Sequence, residues 1–236
     1  MVEAASDIDD LFDGEHVVAR RVEAADELVA SLHPDEAIGT ETMGPGRLAE
    51  FASARAAARE ALGELGIAAA VRRGARGEPL WPVDVTGSIS HTRGHCLAVV
   101  AHHAVQDGRR LRVGLDMETI ERVNPAIARR ILTAGEQAEL EQLGISERQL
   151  RVATVFATKE AFYKAHQQID PRFLGFDAIA VEVLDTGELG FTEADGVADG
   201  LDLRRDVRAR WTIQDGRVVV GLAIRSELDL HPDDDG

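Results

Sequence analysis

"LRVGLDMETI" (residues 111–120) alternates without a break: Leu111, Val113, Leu115 and Met117 share one face, Arg112, Gly114, Asp116 and Glu118 the other. A period of two is that of a half-buried β-strand, because successive side chains point to opposite sides. The turn "QDGRR" precedes it, so the chain divides near Gly108. On the N-terminal side, "GRLAEFASARAAAREALGELGI" (46–67) is rich in helix formers, with Gly66 as a stop. "GARGEPLWP" is a turn-rich connector, and "TGSISHT" (86–92) and "CLAVVAHH" (96–103) read as strands around the turn "RGH". On the C-terminal side, residues 124–143 read as helical. A long helix then opens at "SERQ", with a capping box at Ser146 and Gln149, and runs through Tyr163. "AIAVEVL", "VRARWTIQD" and "RVVVGLAIR" are strands, with "DG" (215–216) as a hairpin turn. Each half offers helix first and antiparallel strands after. The pattern predicts an α/β (α+β) fold of two similar subdomains, residues 1–108 and 109–236, packed together. No short repeat stands out.

A chain of 236 residues can bury roughly 70% of its extended surface, so its fold needs no staples. A net charge of −16 argues against nonspecific nucleic-acid binding. Much of the acid lies at the ends, in "EAASDIDDLFDGE" and "SELDLHPDDDG", which leaves room for local basic sites. The single cysteine, Cys96, excludes an internal disulfide and a Cys-rich zinc site. No stretch approaches the ~20 apolar residues of a membrane span, and the N-terminus is acidic where a signal peptide is basic. The expectation is a soluble, cytoplasmic protein without a membrane or nucleic-acid partner.

The charged residues are unevenly typed. Both lysines, Lys159 and Lys164, fall within "FATKEAFYKA" (156–165), against 24 arginines elsewhere. Lysine is a compact point charge and arginine a planar fork, so an arginine-biased chain keeps lysine mainly where that geometry matters. Asp116 and Glu118, at i and i+2 of a strand, face the same side. They repel unless a cation lies between them, and oxygen ligands suit a hard ion such as Mg²⁺; the polar face of an ordinary strand is the competing reading. Glu160 and Lys164, at i and i+4, read by default as a surface pair. Phe156, Ala153 and Val152 continue the Glu160 side as an apolar stripe, which turns it inward, where a carboxylate needs a partner.

Taken in order, "GEPLWP", "GSISHT", "VGLDMET", "FATKEAFYKA" and "LGF" resemble a 4′-phosphopantetheinyl transferase of the large monomeric class that serves carrier proteins of polyketide, nonribosomal-peptide and siderophore synthesis. The blocks span residues 72–176, with weaker similarity back to Arg47. The resemblance implies two pseudo-symmetric α/β halves with the active site in their cleft. It implies Mg²⁺- or Mn²⁺-dependent transfer of the pantetheinyl arm of coenzyme A to a carrier-protein serine, releasing adenosine 3′,5′-bisphosphate. Asp116, Glu118 and Glu160 then resemble the metal-binding carboxylates, Glu160 also the residue that deprotonates the serine. Lys164 resembles the lysine at the diphosphate, with Lys159 beside it. Ser90 and His91 of "SISHT", together with Arg47 and Arg55, resemble the 3′-phosphate site, and Arg73 and Arg76 fall where basic residues precede "GEP". The chain departs from the pattern at Phe156, where many relatives have Trp, at Met117 between the two acids, and at Arg73 and Arg76, where Arg replaces Lys.

Other features read as structure: His102 and His103 as polar flank, Trp81 and Trp211 as packing, "RRDVRAR" (204–210) as a solvated strand face. Carrier-protein contact is expected in "ERVNPAIARRILTAGEQ" (121–137), with Arg122, Arg129 and Arg130 supplying charge and Ile127 and Ile131 apolar surface. Two other functions compete. A non-catalytic protein that binds coenzyme A or carriers would keep the fold, and a metal-dependent nuclease would share the acid–lysine pattern but not the −16 charge.

Overall fold

The computed structural model describes residues 8–227 except 13, 93, 104, 107, 124, 194–196 and 198–200. Most of the two acidic ends, and Arg93 of the expected turn, lie outside the described residues. The architecture is mixed helix and antiparallel sheet. In the first part, β1 (Val18–Glu23) precedes the helices α1 (Pro34–Ala37) and α2 (Pro45–Glu64). The short ribbon β2 (Arg72–Arg73) and β3 (Pro79–Leu80) follows. The strands β4 (Val85–Thr92) and β5 (His95–His102) pair antiparallel and complete a three-stranded sheet in the order β1-β5-β4. Strand β1 corrects the helix-first reading: its alternation is interrupted by arginines and it packs at a sheet edge, half-exposed.

The short strand β6 (Val105–Gln106) leads into β7 (Arg109–Thr119), the strand foreseen from its alternation. The helical stretch after it is two helices, α3 (Pro125–Ile131) and α4 (Ala134–Leu140), separated by Thr133, whose hydroxyl caps α4. The long helix α5 (Ile145–His166) starts earlier than expected. Gly144 is its N-cap, and Glu147 accepts the Gly144 amide at 2.9 Å, so Ser146 lies inside the first turn. A hairpin of β8 (Ile179–Val183) and β9 (Leu189–Glu193), the single-turn α6 (Leu203–Asp206), and the pair β10 (Val207–Gln214) and β11 (Arg217–Ser226) finish the chain. The second large sheet runs β10-β11-β7-β6.

Burial follows the sequence pattern. Leu111, Val113, Leu115 and Met117 of β7 form a core with Leu97 and Val99 of β5 and with Leu11 and Phe12 from the N-terminal segment. The opposite face of the second sheet, through Val218, Val220, Leu222 and Ile224, packs under α5. Helix α2 covers the first sheet with Ala57, Ala58, Ala61 and Leu62. Gly114 explains how closely α5 lies on β7: a Cβ at that position would stand 1.9 Å from the Ala161 carbonyl oxygen.

A ladder of hydroxyls joins the two sheets. Strand β4 runs parallel to β7, and the amides of Val113, Leu115 and Met117 donate to Thr86 Oγ1, Ser88 Oγ and Ser90 Oγ at 3.0, 3.0 and 3.1 Å. Each partner lies 27 residues away, so the alternation T-x-S-x-S in "TGSISHT" fixes the register between the sheets. These amides point away from β11, and buried without acceptors they would each cost stability.

Candidate functional site

Asp116 and Glu118 leave β7 on the face that Gly114 keeps thin, and α5 lays Glu160 and Lys164 over it. The Lys164 ammonium donates to Asp116 Oδ1 at 2.7 Å and to the Leu115 carbonyl at 3.1 Å. Asp116 is buried, 5% exposed, and also accepts the Ser90 hydroxyl at 2.8 Å. Its second oxygen, Oδ2, is buried without a hydrogen-bond partner. Burial, with the charge of Asp116 next in weight, pushes the Glu118 carboxyl up to about 7. The same two causes, in the same order, raise Glu160.

That electrostatic frustration is a test of fit for a cation. Three carboxyls, two of them driven toward the neutral form and the third with a buried orphan oxygen, form an all-oxygen donor set suited to a hard divalent ion. Among the described residues, no group of three or more His, Cys, Asp or Glu side chains is already arranged to hold a metal. The donor chemistry fits; the cage is not preassembled.

Beside this cluster lies a cavity of about 760 Å³. Among the described residues, Arg47, Arg55, Arg73, Arg76, Arg112 and Lys164 line it, against one lining carboxylate, Glu78. In a chain of net charge −16, a cavity with six cations is a focused positive field. Lys164 connects it to the acids, which do not line it. Glu160 opens instead on a recess of about 90 Å³ with Tyr163, Phe173 and Phe176.

Each expected residue has a definite place. Arg47 on α2 contacts His91 Nε2, and Glu50 stands 3.6 Å from His91 Nδ1. Burial, then the Arg47 charge, lower the His91 pKa, so the ring is neutral and accepts from Arg47. Arg55 is 4% exposed, sits 4.4 Å over the Phe51 ring, and its Nε lacks a partner. Burial lowers its pKa to about 10, so it remains charged at neutral pH and open to an anion. Arg73 and Arg76 are exposed at the rim, and Arg76 reaches across to the Pro171 carbonyl.

Two expectations are corrected. Ser90 is not a ligand-facing group: its hydroxyl accepts from Met117 and donates to Asp116, so it orients the carboxylate. Lys159 is 3% exposed and donates to Ile131 O, Glu136 Oε2 and Phe176 O, so its three N–H bonds face the protein interior, not the cavity.

Sequence reasoning missed Arg112 and Gln168. Arg112 shares the face of Asp116 and Glu118, and that alternation is the signal that points to it. Gln168, just past α5, donates to Gly87 O and Val113 O and accepts the Thr86 hydroxyl, clasping the two sheets at the cavity wall. Trp81 packs against Gly87 but also lines the cavity, as does His103. Cys96 is buried, and burial pushes its thiol up to about 12, which keeps it protonated at neutral pH.

Comparison with known proteins gives the family. Residues 33–101 match the family model "4'-phosphopantetheinyl transferase N-terminal domain", and residues 112–223 match "4'-phosphopantetheinyl transferase superfamily". The chain is 31% identical to 4'-phosphopantetheinyl transferase PptT of Mycobacterium tuberculosis, over 74% of this chain and 78% of that protein. It is 32% identical to 4'-phosphopantetheinyl transferase Svp of Streptomyces mobaraensis, over 86% of this chain and 82% of the relative. Enterobactin synthase component D of Salmonella typhi is 32% identical, over 75% of this chain and 71% of the relative.

Proposed function

The chain belongs to the 4′-phosphopantetheinyl transferase superfamily, and on that premise we propose that it moves the 4′-phosphopantetheine arm of coenzyme A onto a serine of an apo carrier protein. One observation carries the reading: six cations line a single cavity of an acidic protein, and one of them, Lys164, is ion-paired to the buried Asp116 of the acid cluster. A ligand with a diphosphate and a separate phosphate matches both the charge and its spread along the wall.

In this reading Arg47, Arg55 and His91 receive the 3′-phosphate, and Arg73 and Arg76 flank the entrance. Lys164 meets the diphosphate and neutralises charge that develops on it during transfer. Glu160 takes the proton of the carrier serine, directly or through water, as the serine oxygen bonds to the phosphorus next to pantetheine. The bond from that phosphorus to the bridging oxygen breaks, and adenosine 3′,5′-bisphosphate leaves with the electron pair. Asp116, Glu118 and Glu160 would hold a divalent ion, Mg²⁺ or Mn²⁺, which when bound offsets phosphate charge. The division at residue 108 assigns the 3′-phosphate to the first half and the acid–lysine cluster to the second. One chain carries both halves, which supports action as a monomer, and coenzyme A and carrier proteins as substrates support a cytoplasmic setting.

The test is mass spectrometry of an apo acyl or peptidyl carrier protein incubated with the enzyme, coenzyme A and Mg²⁺. A gain of the phosphopantetheinyl mass is expected. No gain with any apo carrier, alongside intact coenzyme A binding, overturns transfer and leaves a binding protein.

A further inference from the structure

The two halves repeat one buried device. In the second half, Glu136, 7% exposed at the start of α4, accepts the Thr133 amide at 2.6 Å and the Val181 amide at 2.8 Å. Lys159 of α5 donates to this glutamate at 2.8 Å and to the Ile131 carbonyl at 2.9 Å. In the first half, Glu36, fully buried at the start of α1, accepts the His33 amide at 3.1 Å and the Val71 amide at 2.9 Å. Arg59 of α2 donates to Glu36 and, at 2.9 Å, to the Ser31 carbonyl. The cation follows its glutamate by 23 residues in both cases.

One offset of 100 relates the glutamate, its cap, the cation and the cation's carbonyl acceptor: residues 31, 33, 36 and 59 correspond to 131, 133, 136 and 159, while the second amide donors, Val71 and Val181, lie 110 apart. The same offset takes Gly44 to Gly144, the N-caps of α2 and α5, and "REA" (59–61) to "KEA" (159–161). A repeat of about half the chain therefore underlies the fold, although no short repeat shows in the sequence. Lys159 also makes a third bond that Arg59 does not match, to Phe176 O at 2.7 Å. Three acceptors on one nitrogen suit an ammonium, which carries three N–H bonds, rather than a guanidinium, which accounts for a lysine here in an arginine-rich chain.

We propose that Lys159 is a positioning residue: it locks α5, and with it Glu160 and Lys164, against α3, α4 and the Phe176 segment, as Arg59 locks α2, with Arg47 and Arg55, against α1. What each helix carries rests on the function proposed above. The latches themselves rest on the hydrogen bonds alone. The proposal separates two roles that the motif places side by side: Lys164 touches substrate and Lys159 does not.

The test compares Lys159→Met, Lys159→Arg and Arg59→Met by coenzyme A calorimetry, by kcat and KM, and by hydrogen exchange of the α5 amides at residues 157–164. Lys159→Met is expected to lower kcat tenfold or more and to speed exchange, with coenzyme A affinity within about twofold of the parent. Lys159→Arg should recover part of kcat. Arg59→Met should show the reverse split, weakening coenzyme A with kcat at saturation retained. A tenfold loss of coenzyme A affinity in Lys159→Met with unchanged exchange overturns the proposal, since it makes the lysine a ligand. Unchanged kcat in a less heat-stable Lys159→Met overturns it too, since the lysine then serves stability only. Should Lys159→Met fail to fold, Glu136→Gln carries the same comparison. A parent that transfers no pantetheine arm defeats the proposed function, while the exchange data still judge the latch.

Discussion

At the scale of single residues, the site is a set of charges placed where water cannot relax them. Glu118 shows the consequence most directly. Burial, then the charge of Asp116, pushes its carboxyl up to about 7 from an ordinary value of 4.5. Between those values the folded state binds more protons than the unfolded state, so this residue makes the metal-free protein less stable as pH rises through the window. We expect the thermal midpoint of the chelator-treated protein to fall from pH 5 to pH 7.5 relative to Glu118→Gln, and Mg²⁺ to remove the difference. An identical pH trend in parent and variant would show that Glu118 is not frustrated. The same proton competes with the ion, so Mg²⁺ affinity should weaken between pH 8 and pH 6, which calorimetric titration measures. Asp116, Glu118, Glu160 and Lys164 were legible because two short periodicities, two in a strand and four in a helix, put them on shared faces. Lys159 was not, because a motif displays neighbours in sequence, and residues five apart on a helix point in different directions.

At the scale of elements, two close fits create the site. The first is α5 on β7 across Gly114, where a methyl group would meet the Ala161 carbonyl. Gly114→Ala must push the helix outward, moving Glu160 and Lys164 away from Asp116. A displacement near 1 Å can cost about a hundredfold in rate, so kcat/KM should fall by that order while circular dichroism stays native. Undiminished activity would mean that the helix has freedom the packing does not suggest. The second fit is the hydroxyl ladder between β4 and β7. Ser88→Ala strands the Leu115 amide in the core, 3.0 Å from where its acceptor stood. An unsatisfied buried amide costs about 1–3 kcal/mol, which in a chain of this size lowers the thermal midpoint by roughly 2–12 °C in a melting experiment. The strands themselves were readable from alternation. The ladder was not, since a serine on a strand looks polar and exposed until another sheet is packed against it. The start of α5 was misplaced for a related reason: "SERQ" carries the side-chain cap pattern, but the helix begins after Gly144, whose amide reaches Glu147.

At the scale of the whole molecule, six cations line one cavity of a chain whose net charge is −16. Coenzyme A, a polyanion, is therefore drawn to one place. A carrier protein that presents acidic helices is not attracted by the net charge of the chain, so docking needs a local basic patch. Arg122, Arg129 and Arg130 are exposed around α3, directly after the strand that carries Asp116 and Glu118. Ile127 is half-buried beside them, whereas Ile131, 3% exposed, belongs to the core under α5 and has no surface to offer a partner. The proposed docking face is thus basic with at most one apolar contact, not the mixed patch expected from the sequence. Charge reversal at Arg129 and Arg130 should raise the KM for a carrier protein at least tenfold, more strongly at low salt, while leaving coenzyme A affinity within about twofold, because neither arginine lines the cavity. Carrier kinetics measured at two ionic strengths decide it. If the double variant keeps its KM at both, docking lies elsewhere; if coenzyme A affinity falls with it, the substitutions have disturbed α3 itself, and with it the Ile131 carbonyl that Lys159 holds.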